Sequence, residues 1–166
     1  MTSIRFSAAL LPHPDSPVSE ADAVTVAGAW SKENGLRLNY RLCGDLLAFL
    51  FPVPGQKLDA NRLWAHSCCE VFLATAGRSA YREYNFSRSG QWAAFDFSGY
   101  RQPAPLSPRP LPAPEMRWQD TPAAPLRLAI AVVLERLEGR FAYWALRHPP
   151  GLPDFHHPVQ FALILS

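Results

Sequence analysis

The residues best suited to chemistry lie between positions 63 and 98. Tyr81, Glu83, Asn85 and Ser87 alternate with Arg82, Tyr84, Phe86 and Arg88. Successive side chains of an extended strand point to opposite faces, so each set of four shares one face. His66, Cys68, Glu70 and Phe72 alternate in the same way upstream, and Trp92, Ala94, Asp96 and Ser98 downstream. A sheet presenting Glu70, Glu83, Asn85 and Trp92 suits a sugar, because carboxyl and amide groups match hydroxyls and a flat ring covers the apolar face of a pyranose. Alternation alone also produces a solvated face, so the pattern leaves both readings open. Glu70 stands apart, because Cys69 and Val71 flank it in an apolar run. A carboxylate in that setting calls for a partner, and Arg82 and Arg88 are the candidates.

A second concentration of special residues is His148-Pro149-Pro150-Gly151-Leu152-Pro153-Asp154-Phe155-His156-His157-Pro158. Its histidine spacing matches no common zinc signature, and the cysteines Cys43, Cys68 and Cys69 are far off in sequence. The segment reads as a proline-stiffened loop capping one end of the fold, with no metal expected. The chain has no Gly-x-Ser-x-Gly elbow and no phosphate-binding loop. Glu70, Glu83 and Asp96 offer acid–base pairs, and Cys68 with His66 or His157 offers a nucleophile. Nothing in the spacing demands either, so a binding role is expected rather than catalysis.

These residues need a sheet to hold them. Turn residues are frequent, with 17 Pro and 9 Gly, and short runs rich in β-branched and aromatic residues lie between them. The N-terminal residues read as a first strand. Further strands are predicted at Ala23–Trp30, Leu36–Cys43, Leu46–Phe51, Cys68–Ala74, Tyr81–Ser87, Gln91–Ser98, Leu126–Leu134, Phe141–Arg147 and Val159–Leu165. The short separators around Gly77 and Gly90 make the central three an antiparallel meander. Asp59–His66 is predicted as one helical turn capped by Asp59. Gln102–Pro114 carries six prolines and reads as an extended, polyproline-like loop, with binding to a proline-reading domain as a minor alternative. Together these features predict one all-β domain over residues 1–166, an antiparallel β-sandwich of jelly-roll or immunoglobulin-like form.

Composition narrows the partners. Hydrophobic residues make up 48 % and charged residues 18 %, and the net charge is +2 with scattered basic residues. Neither nucleic acid nor a membrane is expected, since no basic stripe and no apolar run of about 20 residues occurs. Three cysteines with an adjacent pair make no disulfide framework, and the N-terminus lacks a signal pattern, so a cytoplasmic location is expected. Composition sets no oligomeric state.

The run Leu63-Trp64-Ala65-His66-Ser67-Cys68-Cys69-Glu70-Val71-Phe72-Leu73, with Tyr81–Ser87 and Ser89–Phe95, resembles the DOMON-like domains of bacteria. These are similar in turn to family-nine carbohydrate-binding modules. The closing Pro153-Asp154-Phe155-His156-His157 and Phe161-Ala162-Leu163 share the likeness, which spans roughly residues 20–166. It implies a β-sandwich with a ligand pocket against one sheet. For a sugar, Glu70, Glu83 and Asn85 are the matching anchors and Trp92 the stacking ring, with Trp64, His66 and His157 at the site's edge. For haem, the alternative ligand of this superfamily, Met116 is the candidate axial ligand and His156 or His157 the opposing one. A third expectation is an interaction module that takes no small ligand.

Overall fold

The computed structural model describes residues 4–31, 35–105, 126–135 and 140–165. Among these, ten strands occur: β1 (Ile4–Pro12), β2 (Ala23–Ser31), β3 (Gly35–Cys43), β4 (Cys68–Thr75), β5 (Tyr81–Ser87), β6 (Trp92–Gly99), β7 (Gln102–Ala104), β8 (Leu126–Glu135), β9 (Phe141–Ala145) and β10 (Leu163–Leu165). All their pairings are antiparallel, in the order β3-β2-β1-β9-β8-β4-β5-β6-β7. β1 turns a corner. Its residues Ile4–Leu10 pair with β2, whereas Leu11 and Pro12 pair with β9. That corner divides the strands into a short sheet and a long one, and the fold is an all-β sandwich.

The meander β4-β5-β6 forms as its turn residues require. Gly77 and Gly90 adopt φ of 79° and 90°, the left-handed region that favours glycine. A three-residue turn closes β5 onto β6, with the Ser87 N–H donating to the Gln91 carbonyl at 2.9 Å. Between the sheets, Leu10, Val24 and Val26 meet Ala142 and Trp144, while Leu36 meets Val71 and Leu73. Each large aliphatic side chain buried there contributes about 1.5–3 kcal/mol.

The odd-numbered residues of β4 therefore face the short sheet, and Cys68, Glu70, Phe72 and Ala74 face away. They too are buried, because two segments cover the outer face. The first is residues 146–162. β9 occupies the edge of β8 at Ala131–Glu135 and β10 occupies the same edge at Leu126–Leu128. The chain between them leaves the sheet and lays Phe155, His156 and Phe161 against Phe72, Tyr81 and Phe97. His13 and His148 pin its start: the His13 Nε2–H donates to the Gly151 carbonyl at 2.7 Å and the His148 Nε2–H to that of Leu11 at 2.8 Å.

The second cover is a 3-10 helix at Ala60–Ala65. Its cap is Asp59, whose carboxylate accepts from the Asn61 N–H at 2.9 Å, as the sequence implies. Leu63 anchors it in the core with no exposed surface. The Gln91 side chain clamps the preceding segment, accepting from the Leu58 N–H at 2.6 Å and donating to the Leu58 carbonyl at 2.9 Å.

Three predicted elements differ. Leu46–Phe51 is not a strand, for Leu46–Ala48 is a 3-10 turn. Asp45 nucleates it by accepting the Leu47 N–H on its carboxylate and the Ala48 N–H on its carbonyl, and this local pairing outweighs the apolar pattern. The last strand is only Leu163–Leu165, because His157 caps a separate turn at Pro158–Gln160. Of the proline-rich loop, Gln102–Ala104 is a short edge strand, the one sheet setting that tolerates Pro103. Residues 106–114, with the idea of a proline-reading partner, lie outside the described residues. Replacing Leu63 by Ala is expected to cost about 2–5 kcal/mol of stability, read as a lowered urea midpoint. An unchanged midpoint would mean that this helix is not anchored through Leu63.

Candidate functional site

Register decides which polar residues meet. Glu70 lies opposite Asn85, and Phe72 opposite Glu83. Glu70 and Glu83 are thus diagonal neighbours on the outer face of the long sheet. β6 adds Phe95 opposite Glu83 and Phe97 opposite Tyr81. The same face of β9 carries Phe141 and Tyr143. The helix at Ala60–Ala65 and the segment 153–156 stand over this face and leave a cleft of about 750 Å³. Glu70 and Glu83 form its floor, and Phe95, Phe97, Phe141, Tyr143 and Phe155 its walls. Arg62, Trp64, Arg101 and His156 line it from the covering segments and the β6–β7 turn.

The floor is dry, with Glu70, Glu83 and Asn85 at 3 %, 5 % and 0 % exposure. Burial, with the neighbouring Glu83 charge, raises the Glu70 pKa well above its ordinary value of 4.5, although a hydrogen bond from Cys68 opposes the shift. The Cys68 thiol donates to Glu70 Oε1 at 3.7 Å. Burial also raises the pKa of Glu83, opposed by the Asn85 amide and the Arg101 charge. Asn85 Nδ2–H donates to Glu83 Oε1 at 2.8 Å. Its Oδ1 is buried with no partner among the described residues. A half-turn of the amide would let that oxygen accept from a protonated Glu83, so Asn85 can serve either state of the acid.

His156 joins the floor to the rim. The Arg101 N–H donates to the Tyr81 hydroxyl at 3.3 Å, and that hydroxyl in turn bonds His156 Nδ1 at 2.8 Å. Burial, with the Arg101 charge, lowers the His156 pKa from 6.5 to about 4. The ring is therefore neutral at pH 7. Its Nε2 faces Glu83 Oε2 at 3.7 Å. Asp154 secures the rim by accepting from Tyr100, from the Arg101 guanidinium at 2.9 Å and from the His156 N–H at 3.1 Å.

The structure brings Glu70, Glu83 and Trp64 to the cleft, buries Asn85 beneath Glu83, and does not bring Trp92. Trp92 pairs with Phe86 and lies on the opposite face of the sheet from Glu83. Neither His66 nor His157 lines the cleft. His157 caps the turn at Pro158–Gln160 and rests edge-on to Tyr100. Arg82 and Arg88 are not partners of Glu70. Both lie on the opposite face, where Arg82 makes a bidentate pair with Asp96 at 2.5 and 2.7 Å and Arg88 lies over Phe51. Burial, with the Glu70 charge, raises the Cys68 pKa well above its ordinary value, which disfavours the thiolate a nucleophile needs. Of the candidate haem ligands, His156 Nδ1 is bonded to the Tyr81 hydroxyl, His157 Nδ1 accepts from the Val159 N–H, and Met116 lies outside the described residues. No group of three or more His, Cys, Asp or Glu among the described residues is placed to hold a metal ion, and no described helix is long and apolar enough to cross a membrane.

Arg101, Phe95, Phe97, Phe141, Tyr143 and Phe155 were not legible as site residues. A signal existed for Phe95 and Phe97: a three-residue turn pairs residues of like parity across β5 and β6. No protein-family model, curated protein or solved structure matches the chain.

Folded Glu70 keeps its proton at pH values where the unfolded carboxyl, at 4.5, has lost it. The folded state then binds more protons, so this carboxyl lowers stability as pH rises from about 4.5 until Glu70 itself ionises. His156 has the opposite slope between about 4 and 6.5, but that slope is common to wild type and variant. In Glu70→Gln, the melting temperature relative to wild type is expected to climb with pH from 4.5 and then level off. A difference independent of pH would show that the Glu70 carboxyl is not held protonated.

Proposed function

We propose that this chain binds a carbohydrate or sugar-containing metabolite in this cleft without transforming it, as a single DOMON-like domain. The observation that carries the reading is the dry group Glu70, Glu83 and Asn85 beneath aromatic walls. A protonated carboxyl both donates and accepts, and so complements a hydroxyl, which does the same. Asn85, buried beneath them, holds Glu83 in place through its amide. The walls supply flat apolar faces for the C–H side of a sugar ring. A volume of about 750 Å³ lies within the range of small-molecule pockets and has room for more than one ring. The likeness of the meander to DOMON-like domains points the same way.

Titration calorimetry against monosaccharides, disaccharides and nucleotide sugars tests the reading. At least one should bind, Glu83→Ala should weaken it about tenfold or more, and Tyr143→Ala should weaken it by about 0.5–1.5 kcal/mol. Trp92→Ala should leave the affinity unchanged. Binding that ignores Glu83→Ala but is lost in Trp92→Ala would place the site on the other face. No heat with any sugar, and a shifted Soret band with haemin that disappears in His156→Ala, would replace the sugar with haem.

A further inference from the structure

Two guanidinium groups line the cleft, and the acids of its floor form an ion pair with neither among the described residues. Arg62 has no carboxylate partner among the described residues. Its guanidinium carbon lies 5.8 Å from the centre of the Trp64 ring, and Trp64 also lines the cleft. A planar cation resting on an indole keeps its edge free to donate. Arg101 commits one nitrogen to Asp154, and a guanidinium has five N–H donors. Among the described non-glycine residues it alone has a positive φ, 52°, a conformation that glycine would adopt without strain. A side chain kept there at a conformational cost points to a use for that side chain. Glu70 and Glu83 lie deep on the floor and make no ion pair with either arginine. Asp154 offsets one positive charge and leaves the other unmatched.

We infer that the ligand carries an anionic group, a phosphate or a carboxylate, seated where Arg62 and Arg101 line the cleft, with its hydroxylated ring over Glu70 and Glu83. The inference rests on the sugar reading for the ring alone. The planar fork of a guanidinium matches the oxygens of either anion, and the apolar walls strengthen that contact by limiting water around it.

The test is calorimetry of the full chain with glucose, glucuronate, glucose 1-phosphate, UDP-glucose and inorganic phosphate, on wild type, Arg62→Gln and Arg101→Gln. Thermal melts check that each variant is folded. Arg62→Gln is the cleaner variant, since it strands no carboxylate. At low salt, a charged sugar should bind about tenfold or more tightly than glucose. The gap should shrink as salt rises and narrow by about tenfold in Arg62→Gln. Comparing glucuronate with the phosphates distinguishes the two anions. Equal affinity for glucose and its charged forms, or a gap that survives in both variants, would overturn the inference and leave the sugar reading standing. Binding of inorganic phosphate that depends on Arg62, with no sugar bound in any form, would keep the anion subsite and remove the sugar reading. No binding of any probe would remove both.

Discussion

The site rests on one constraint: β4 is dry on both faces. Its odd residues, Cys69, Val71 and Leu73, belong to the core between the sheets. Its even residues meet a second layer laid over the outer face. Glu70 sits in the middle of that strand, where a charge is costly and a proton is the cheaper solution. Its surroundings are consistent with that solution. A thiol donates to it, an acid lies diagonal to it, and no arginine among the described residues pairs with it. Across the sandwich the Tyr40 hydroxyl donates to the Glu70 carbonyl at 3.2 Å, so the strand is tied from the core side at the same residue.

The two covers are held in different ways. The helix at Ala60–Ala65 depends on one buried leucine and a two-point clamp from Gln91. Residues 146–162 are anchored at both ends in the sheet, pinned by the His13–His148 contact and tied at the rim by Asp154. Arg101, Tyr81, His156 and Glu83 then form a line from rim to floor. A change in the charge at Glu83 alters the field at His156, and the His156 tautomer depends on Tyr81. Rim and floor are therefore linked by hydrogen bonds from Arg101 to His156 and by a 3.7 Å contact from His156 to Glu83.

The strands of the meander were legible because alternation, turn glycines and β-branched residues agree there, and local and tertiary preferences point to the same structure. Asp59 as a cap was legible for a similar reason. Leu46–Phe51 failed because apolar content alone cannot separate a strand from a turn when the preceding Asp45 supplies its own hydrogen bonds. Of the site, the acids and the amide could be read by parity within one strand. Relating β5 to β6 needs the length of the turn as well, and the three-residue turn moves Trp92 away from Glu83 and brings Phe95 to it. The contributions of Arg101, Tyr143 and Phe155 depend on contacts between residues distant in sequence, and no local pattern encodes those.

The cleft has a direction. Its floor holds Glu70, whose pKa burial raises well above the ordinary value, while Arg62 and Arg101 line it from above. If the floor acids were ionised, their charge would cancel the arginines and the cleft would favour no anion. Dryness at Glu70 therefore matters to the rim as well as to the floor. The second layer over β4 thus raises the Glu70 pKa by burial and shapes the cleft.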